Sequence, residues 1–278
     1  MQELINYVSD KANNVYALTV MQNGSVAAAI DPDTRRPVYS ATKSVLSIGV
    51  GLLQKEERFD VERPLACYLT APQLALVPAE KREAFKRLPV TRFLTMSVLG
   101  FPFRPEGESG WIEQALGADI DCEGEPAFCY SNFPALLVGV AAQNAADESL
   151  EDILCDKLFS PIGVSRPVFK QTPEGYFYGA SGMELSCAEL SRVGEYLLQN
   201  AEGDSYLTRA VSRQIGTREG GYGYFYRVGE GYYYMSGKWG QKCIVCPESK
   251  TVITYLSDRK NGDSELFALA VRRLKEIS

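Results

Sequence analysis

Strand-like sequence at both ends of the chain, with helix-like sequence between them, limits the folds that this protein can adopt. Near the start, Val15 to Met21 and Ser25 to Ile30 flank the turn signal Gln22-Asn23-Gly24 and predict a β-hairpin. After residue 215 the sequence is rich in glycine and tyrosine, as short strands separated by turns often are. The predicted strands there are residues 221–226, 231–235, 242–246 and 251–257. The sequence therefore predicts one sheet built from both ends of the chain.

The middle of the chain has the apolar spacing of helices. The predicted helices are residues 41–54, 90–96, 131–143, 150–159 and 187–199, with short terminal helices at 2–12 and 266–277. We therefore predict an α/β (α+β) protein with two domains. Residues 1–38 with 207–278 would form the sheet domain, residues 39–206 the helical domain, and the cleft between them the site.

Composition restricts the partners. The formal net charge is -6 and no basic patch stands out, which argues against nucleic acid binding. The longest apolar run, Val45 to Leu53, is about half of what a bilayer needs, so no membrane partner is expected. The first twenty residues lack the pattern of a secretory signal, and we expect a cytoplasmic protein acting on a small molecule. The oligomeric state is left open.

The seven cysteines are an odd number without the spacing of a disulfide framework, so we expect reduced thiols. The pair Cys243-Ile-Val-Cys246 could belong to a redox or zinc site, or lie in a strand. A closed zinc site needs four ligands, and the chain contains no histidine. We favour sheet cysteines and predict no metal and no cofactor.

Ser40-Ala41-Thr42-Lys43 precedes an apolar helical run in this histidine-free chain. A serine hydroxyl needs a neighbouring base to become a nucleophile, and histidine cannot supply it here. A lysine three residues along a helix lies on the same face as the serine and can act as the base if its pKa is lowered. A backbone N–H at a helix start can also help to bind an oxyanion. The alternative is that Ser40 simply caps the helix. A second match, Ser257-Asp-Arg-Lys260, is interpreted as chance.

Tyr130-Ser131-Asn132 precedes another predicted helix, about ninety residues downstream. A phenol beside a lysine can relay protons, and an asparagine amide can hold both a substrate carbonyl and the lysine. The alternative is an ordinary turn with a capping residue.

Gly237-Lys238-Trp239-Gly240-Gln241 lies between predicted strands. On a strand edge, Lys238 would supply a second positive charge and Gly240 would let substrate approach the backbone. The N–H of Gln241 would then be a second oxyanion donor.

Together these motifs resemble those of the serine β-lactamase and penicillin-binding-protein superfamily, namely Ser-x-x-Lys, Ser/Tyr-x-Asn and Lys-Thr-Gly. The Tyr-x-Asn form is most similar to the class C β-lactamase branch, which also contains D-alanyl-D-alanine peptidases and esterases. Further similar stretches are Leu94 to Ser97, Tyr130 to Leu137, Leu158 to Gly163 and Gly221 to Phe225. The resemblance implies an antiparallel sheet covered by terminal helices, against a helical domain.

Such a site would transfer an acyl group from an ester, amide or lactam to Ser40. Lys43 and Tyr130 would share the general-base work, while Asn132 and Lys238 orient the substrate. The third motif is Lys-Trp-Gly, so the family's carboxylate-binding hydroxyl is missing at Trp239. We therefore expect weak turnover of β-lactams and better activity on short uncharged esters or amides. The alternatives are a carboxylesterase or small-amide hydrolase, and a non-catalytic binding protein on the same fold.

Overall fold

The computed structural model describes residues 1–277, which are organised around an eight-stranded antiparallel sheet. The strands along the chain are β1 (Val15–Gln22), β2 (Ser25–Ile30), β5 (Ile215–Thr217), β6 (Gly220–Tyr222), β7 (Arg227–Val228), β8 (Tyr233–Gly237), β9 (Gln241–Cys246) and β10 (Thr251–Ser257). Their order in the sheet is β2-β1-β10-β9-β8-β7-β6-β5. Because β1 pairs with β10, both ends of the chain contribute to one sheet, as the sequence predicts. Two short strands, β3 (Arg36–Pro37) and β4 (Glu184–Leu185), form a separate ribbon.

Eleven helices are described in residues 1–277. They are α1 (Gln2–Ser9), α2 (Thr42–Lys55), α3 (Ala71–Ala75), α4 (Arg82–Phe85), α5 (Val90–Leu94), α6 (Trp111–Leu116), α7 (Phe133–Ala146), α8 (Leu150–Leu154), α9 (Cys187–Asn200), α10 (Ser205–Ala210) and α11 (Ser264–Ile277). The predicted helix over 150–159 is α8 followed by one π-helical turn, Cys155–Phe159. The predicted strand over 221–226 is wrong beyond Tyr222, because the chain turns at Phe225, whose φ is 66°.

The sheet is covered on both faces, and the side chains along a strand point alternately into two apolar clusters. Along β10, Val252 and Leu256 point into the larger cluster, which includes α2, α7 and α9. Ile253 and Tyr255 point into the smaller one, formed with α1 and α11. Successive strand residues face opposite sides, so these mixed apolar runs fit a sheet buried on both faces.

The same alternation separates the two cysteines of the Cys-x-x-Cys pair. Cys243 belongs to the larger cluster and Cys246 to the smaller one, on opposite faces of β9. Two side chains on opposite faces of a strand cannot ligate one metal ion, which supports the interpretation as sheet cysteines. Within residues 1–277, no group of three or more acidic or cysteine side chains is placed to hold a metal ion.

Helix α9 lies directly against the sheet, although its residues fall within the range predicted as the helical domain. At Gly194, an added Cβ would lie 2.6 Å from Cys243 Sγ and 2.7 Å from a methyl group of Val252. The two-domain division stays a prediction. Helix α9, which it assigns to the helical domain, packs against the sheet. None of the described helices is both long and apolar enough to cross a membrane.

We expect Gly194→Ala to lower the free energy of unfolding by about 1–3 kcal/mol, because the new methyl group forces α9 away from the sheet. Urea unfolding followed by circular dichroism measures the loss. Gly203→Ala is the matched control, since nothing lies within 4 Å of a Cβ built there. Equal stability of the two variants would contradict this account of how α9 docks.

Candidate active site

Ser40 lies in a single 3₁₀ turn, Tyr39–Ala41, which leads directly into α2. The preceding residue, Tyr39, has a φ of 47°, in the left-handed region that few non-glycine residues adopt. The Thr42 hydroxyl holds this turn, because it donates to the carbonyl of Tyr39 at 2.6 Å and accepts from the N–H of Met183 at 3.3 Å. Ser40 is therefore fixed at the start of a helix, half-buried, as the apolar run predicts.

Lys43 occupies the first turn of α2 and is only 1% exposed. Its Nζ lies 3.1 Å from Ser40 Oγ, 2.7 Å from Asn132 Oδ1 and 2.6 Å from the carbonyl oxygen of Ala180. All three partners are neutral. Within residues 1–277 no carboxylate forms an ion pair with Lys43, so hydrogen bonds to neutral oxygens offset only part of the cost of burying its ammonium form.

The pKa of Lys43 is lowered from its ordinary value of 10.5, chiefly because burial penalises the ammonium form; Tyr130 opposes this shift. Tyr130 is half-buried beside it, with the ring centroid 5.1 Å from Lys43 Nζ. Burial by itself raises the pKa of Tyr130, but the positive charge of Lys43 and the Ser40 hydroxyl outweigh it and lower the pKa. Two groups that interact this strongly titrate as a pair.

The segment Tyr130-Ser131-Asn132 joins the site to a neighbouring loop. Asn132 immediately precedes α7, and Pro134 in the first turn suits a helix start. The Asn132 N–H donates to the carbonyl of Phe103 at 2.8 Å, and the Ser131 hydroxyl donates to the carbonyl of Pro102 at 2.6 Å. The structure thus brings Ser40, Lys43, Tyr130 and Asn132 together from two distant parts of the chain.

The third motif differs from the sequence prediction. Lys238, Trp239 and Gly240 form the turn between β8 and β9, not a strand edge. The hairpin turns here because Gly237 pairs with Gln241, and Trp239 and Gly240 take positive φ values of 63° and 84°. Lys238 is exposed, and its Nζ lies 4.2 Å from the centre of the Trp239 ring.

Gly240 and the side chain of Gln241 do not line the cavity at Ser40. Gln241 braces the hairpin: its Nε2 donates to the carbonyls of Lys238 at 2.9 Å and Ser257 at 2.6 Å, and its Oε1 accepts from the N–H of Ser257. The role of its backbone N–H as an oxyanion donor stays a prediction. Trp239 packs edge-on against Tyr39, with 5.2 Å between ring centroids, so the turn contacts the residue just before Ser40.

A cavity of about 520 Å³ opens beside Ser40, and sequence analysis missed most of its lining. Ser236 and Gly237 at the end of β8 line it, as does Lys238. At Gly237 an added Cβ would lie 2.2 Å from the carbonyl oxygen of Val38, so only glycine lets β8 lie this close to the segment before Ser40. Extending the predicted strand over 231–235 by one alternation would have found Ser236. Ser236 therefore places a hydroxyl in the cavity, although Trp239 occupies the position of the family's third-motif hydroxyl.

Aromatic and cationic side chains dominate the rest of this cavity. The aromatic residues are Tyr39, Phe103, Tyr130, Tyr222, Phe225 and Tyr234, and the cationic ones are Arg104, Arg227 and Lys238. No acidic residue in the described part of the chain lines it, although the protein as a whole is acidic.

The second Ser-x-x-Lys match has none of this geometry. Ser257 is buried and its hydroxyl donates to the carbonyls of Trp239 and Gly240, both at 2.8 Å. Lys260 forms an ion pair with Asp258 at 3.7 Å. Ser257 therefore holds the β8–β9 turn, in agreement with the interpretation of this match as chance.

Comparison with known proteins gives the family. The family described as beta-lactamase matches residues 6–276, nearly the whole chain. The chain belongs to the beta-lactamase family. Membership supports a hydrolase of the serine hydrolase superfamily. No curated protein matches the sequence.

Solved structures place the chain in the β-lactamase/transpeptidase-like fold. FmtA from Staphylococcus aureus is 13% identical with a TM-score of 0.76, over 99% of this chain and 88% of that one. A class C beta-lactamase is 14% identical with a TM-score of 0.74, over 100% and 95% of the two chains. The octameric penicillin-binding protein homologue from Pyrococcus abyssi is 18% identical with a TM-score of 0.72, over 97% and 76%. At these identities the likeness concerns the fold, and it confirms the predicted fold class.

Proposed function

We propose that this member of the beta-lactamase family is a hydrolase that forms an acyl-enzyme on Ser40 from a small ester, amide or lactam. The observation that carries the proposal is the placement of Lys43: buried, without a carboxylate partner in residues 1–277, and 3.1 Å from Ser40 Oγ. A nucleophile and a base within hydrogen-bond reach, with a third group orienting the base, is the arrangement that activates serine.

The number of hydrogen bonds at Lys43 supports its role as a base. A neutral amine has two hydrogens and one lone pair. The carbonyl of Ala180 and Oδ1 of Asn132 accept the two hydrogens, which leaves the lone pair directed at Ser40 Oγ. After taking the serine proton, the ammonium donates to the same three oxygens. The site can therefore accept a proton without rearranging.

The pKa values of Lys43 and Tyr130 both lie below their ordinary values, so the pair loses its first proton at a lower pH than an exposed lysine or tyrosine would. When the pair holds one proton, it is either amine with phenol or ammonium with phenolate. Either form places a base beside Ser40. We propose that the two residues share the general-base work and that Tyr130 carries the proton onward to the leaving group.

In the proposed cycle, Ser40 Oγ forms a bond to the substrate carbonyl carbon and its proton passes to the Lys43–Tyr130 pair. The N–H groups of Ser40 and Gln241 hold the oxyanion, while Asn132 and Lys238 orient the substrate. The bond to the leaving group breaks, and that group takes the proton. Water then attacks the carbonyl carbon of the ester on Ser40 and gives a proton to the pair. The bond between that carbon and Ser40 Oγ breaks, the pair returns the proton to Oγ, and the acid leaves.

Covalent labelling tests the proposal. The protein is treated with a fluorophosphonate and, separately, with a fluorescent penicillin, and intact mass and peptide mapping locate any adduct. We expect an adduct on Ser40. Labelling by both reagents indicates an enzyme that recognises penicillins, and labelling by the fluorophosphonate alone indicates a carboxylesterase or small-amide hydrolase. Labelling by neither would contradict the proposal in favour of a binding protein on the same fold.

We expect Tyr130→Phe to lower kcat/KM on 4-nitrophenyl acetate by about 10²–10³-fold, because it removes only the hydroxyl that shares the proton with Lys43. Steady-state kinetics measures the loss. Tyr206→Phe is the control, since its hydroxyl contacts Ser47 away from the cavity. Full activity of Tyr130→Phe would leave Lys43 as the sole base.

A further inference from the structure

We propose that Phe103 and Arg104 form a substrate subsite at the mouth of the cavity, which takes a carboxylate on an aromatic or other flat apolar group. The inference rests on the proposed function, and it names the substrate class for that site. Three independent observations support it: the exposure of Phe103, the charge of Arg104 and the hydrogen bonds that fix their loop.

Phe103 is unusually exposed for its size. It is 60% exposed, while its ring centroid lies 6.4 Å from that of Tyr130. The two rings form one wall of the cavity beside Ser40. An exposed phenylalanine at a cavity mouth offers an apolar surface that a flat group of the substrate can cover.

Arg104 differs from the two other cations of the cavity. Arg227 forms an ion pair with Glu219 at 2.6 Å, and Lys238 lies against the Trp239 ring. Arg104 has no hydrogen bond or ion pair with any residue in 1–277. Because no acid in the described chain lines the cavity, the charge of Arg104 is available to a ligand. A guanidinium binds a carboxylate with two parallel hydrogen bonds, which fixes its orientation.

The loop that carries both residues is fixed to the catalytic segment. The carbonyl of Phe103 accepts from the N–H of Asn132 at 2.8 Å, and that of Pro102 accepts from the Ser131 hydroxyl at 2.6 Å. Asn132 in turn accepts from Lys43. A recognition residue held this way keeps its distance from the reacting serine, which is what a specificity subsite requires. Ser131, the middle residue of the Tyr-Ser-Asn motif, therefore helps to position the loop that carries Phe103 and Arg104.

The test compares two esters that differ in one group. The probes are the mono-4-nitrophenyl ester of benzene-1,4-dicarboxylic acid and the same ester with a carboxamide in place of the free carboxylate. In both, the rigid ring prevents the substituent from attacking the ester. We expect the carboxylate ester to have a KM about tenfold lower, with similar kcat, and the preference to shrink at high salt.

Arg104→Gln should abolish this preference by raising KM for the carboxylate ester about tenfold, to the value for the carboxamide ester, whereas Arg104→Lys should restore part of it. Arg63→Gln is the matched control, because it removes the same charge from an exposed side chain that stacks on Tyr68. Phe103→Ala should raise KM for both aromatic esters more than it raises KM for 4-nitrophenyl acetate. Equal KM values for the two esters in the unmodified protein, or a preference that survives Arg104→Gln, would overturn the subsite.

Binding separates this inference from the proposed chemistry. Calorimetry on Ser40→Ala measures the affinity for each ester without turnover, and we expect about tenfold tighter binding of the carboxylate ester. If the unmodified protein hydrolyses both esters without preference, the subsite is wrong and the proposed function stands. If neither ester is hydrolysed and Ser40→Ala still prefers the carboxylate, the subsite stands and the chemistry is wrong.

Discussion

Ser40→Ala is expected to lose both the fluorophosphonate adduct and the hydrolysis of 4-nitrophenyl esters, with kcat/KM falling by about 10⁴-fold or more. The substitution removes the nucleophile and leaves the base without a proton to accept. Ser40 is half-buried in a turn held by Thr42 and Tyr39, so the fold should be unaffected. Intact mass, steady-state kinetics and circular dichroism on the same sample measure the three quantities.

Ser257→Ala is the control for this experiment, because Ser257 begins the second Ser-x-x-Lys match in the chain. Its hydroxyl is engaged by two backbone carbonyls and has no lysine in hydrogen-bond contact among the described residues. Ser257→Ala should still be labelled on Ser40. An adduct that persists in Ser40→Ala and disappears in Ser257→Ala would show that the wrong serine has been chosen.

Lys43→Met is expected to lower kcat/KM by about 10³-fold and to move the pH profile. In the unmodified protein, activity depends on the deprotonated pair, so it should rise with pH through a midpoint below the ordinary value of 10.5 for lysine. In Lys43→Met, Tyr130 keeps its burial and loses the positive charge that lowers its pKa. Any residual activity should therefore rise only at higher pH.

Measuring kcat/KM across the alkaline range for both proteins tests whether Lys43 sets the pH dependence of activity. Lys55→Met, at the exposed end of the same helix, is the control and should retain the original profile. An unchanged rate in Lys43→Met would remove lysine from the mechanism. A reduced rate with an unshifted midpoint would instead assign that midpoint to a group other than the Lys43–Tyr130 pair.

Local sequence was sufficient for the elements whose pattern is regular. The turn signal Gln22-Asn23-Gly24 between two strand-like runs predicted the β1–β2 hairpin, and the apolar spacing after Ser40 predicted α2, because a tight turn and a helical repeat are both encoded locally. The contact between Ser40 and Lys43 follows from the same helical period. The strand predicted over 221–226 failed at Phe225, where a turn depends on pairing with distant residues: its N–H donates to the carbonyl of Leu94.

The properties of the site depended on tertiary structure. Lys43 is a base candidate because it is buried and because Asn132, 89 residues away, accepts one of its hydrogens. Its third partner is the backbone carbonyl of Ala180, which no side-chain motif can signal. Burial and charge compensation involve the whole fold, so a pKa shift cannot be inferred from the spacing of four residues.

The sequence by itself determined the terminal hairpin, the last strands and the longer helices, the serine–lysine pair and the resemblance to the family, because each is encoded by spacing along the chain. The tertiary structure alone decided the position of the third motif: the pairing of Gly237 with Gln241 places Lys238 in a turn and leaves Ser236 in the cavity. It also brought Arg104 to the cavity from a loop without periodicity. Strand register and loop placement are set by contacts between distant residues, and these leave no local pattern in the sequence.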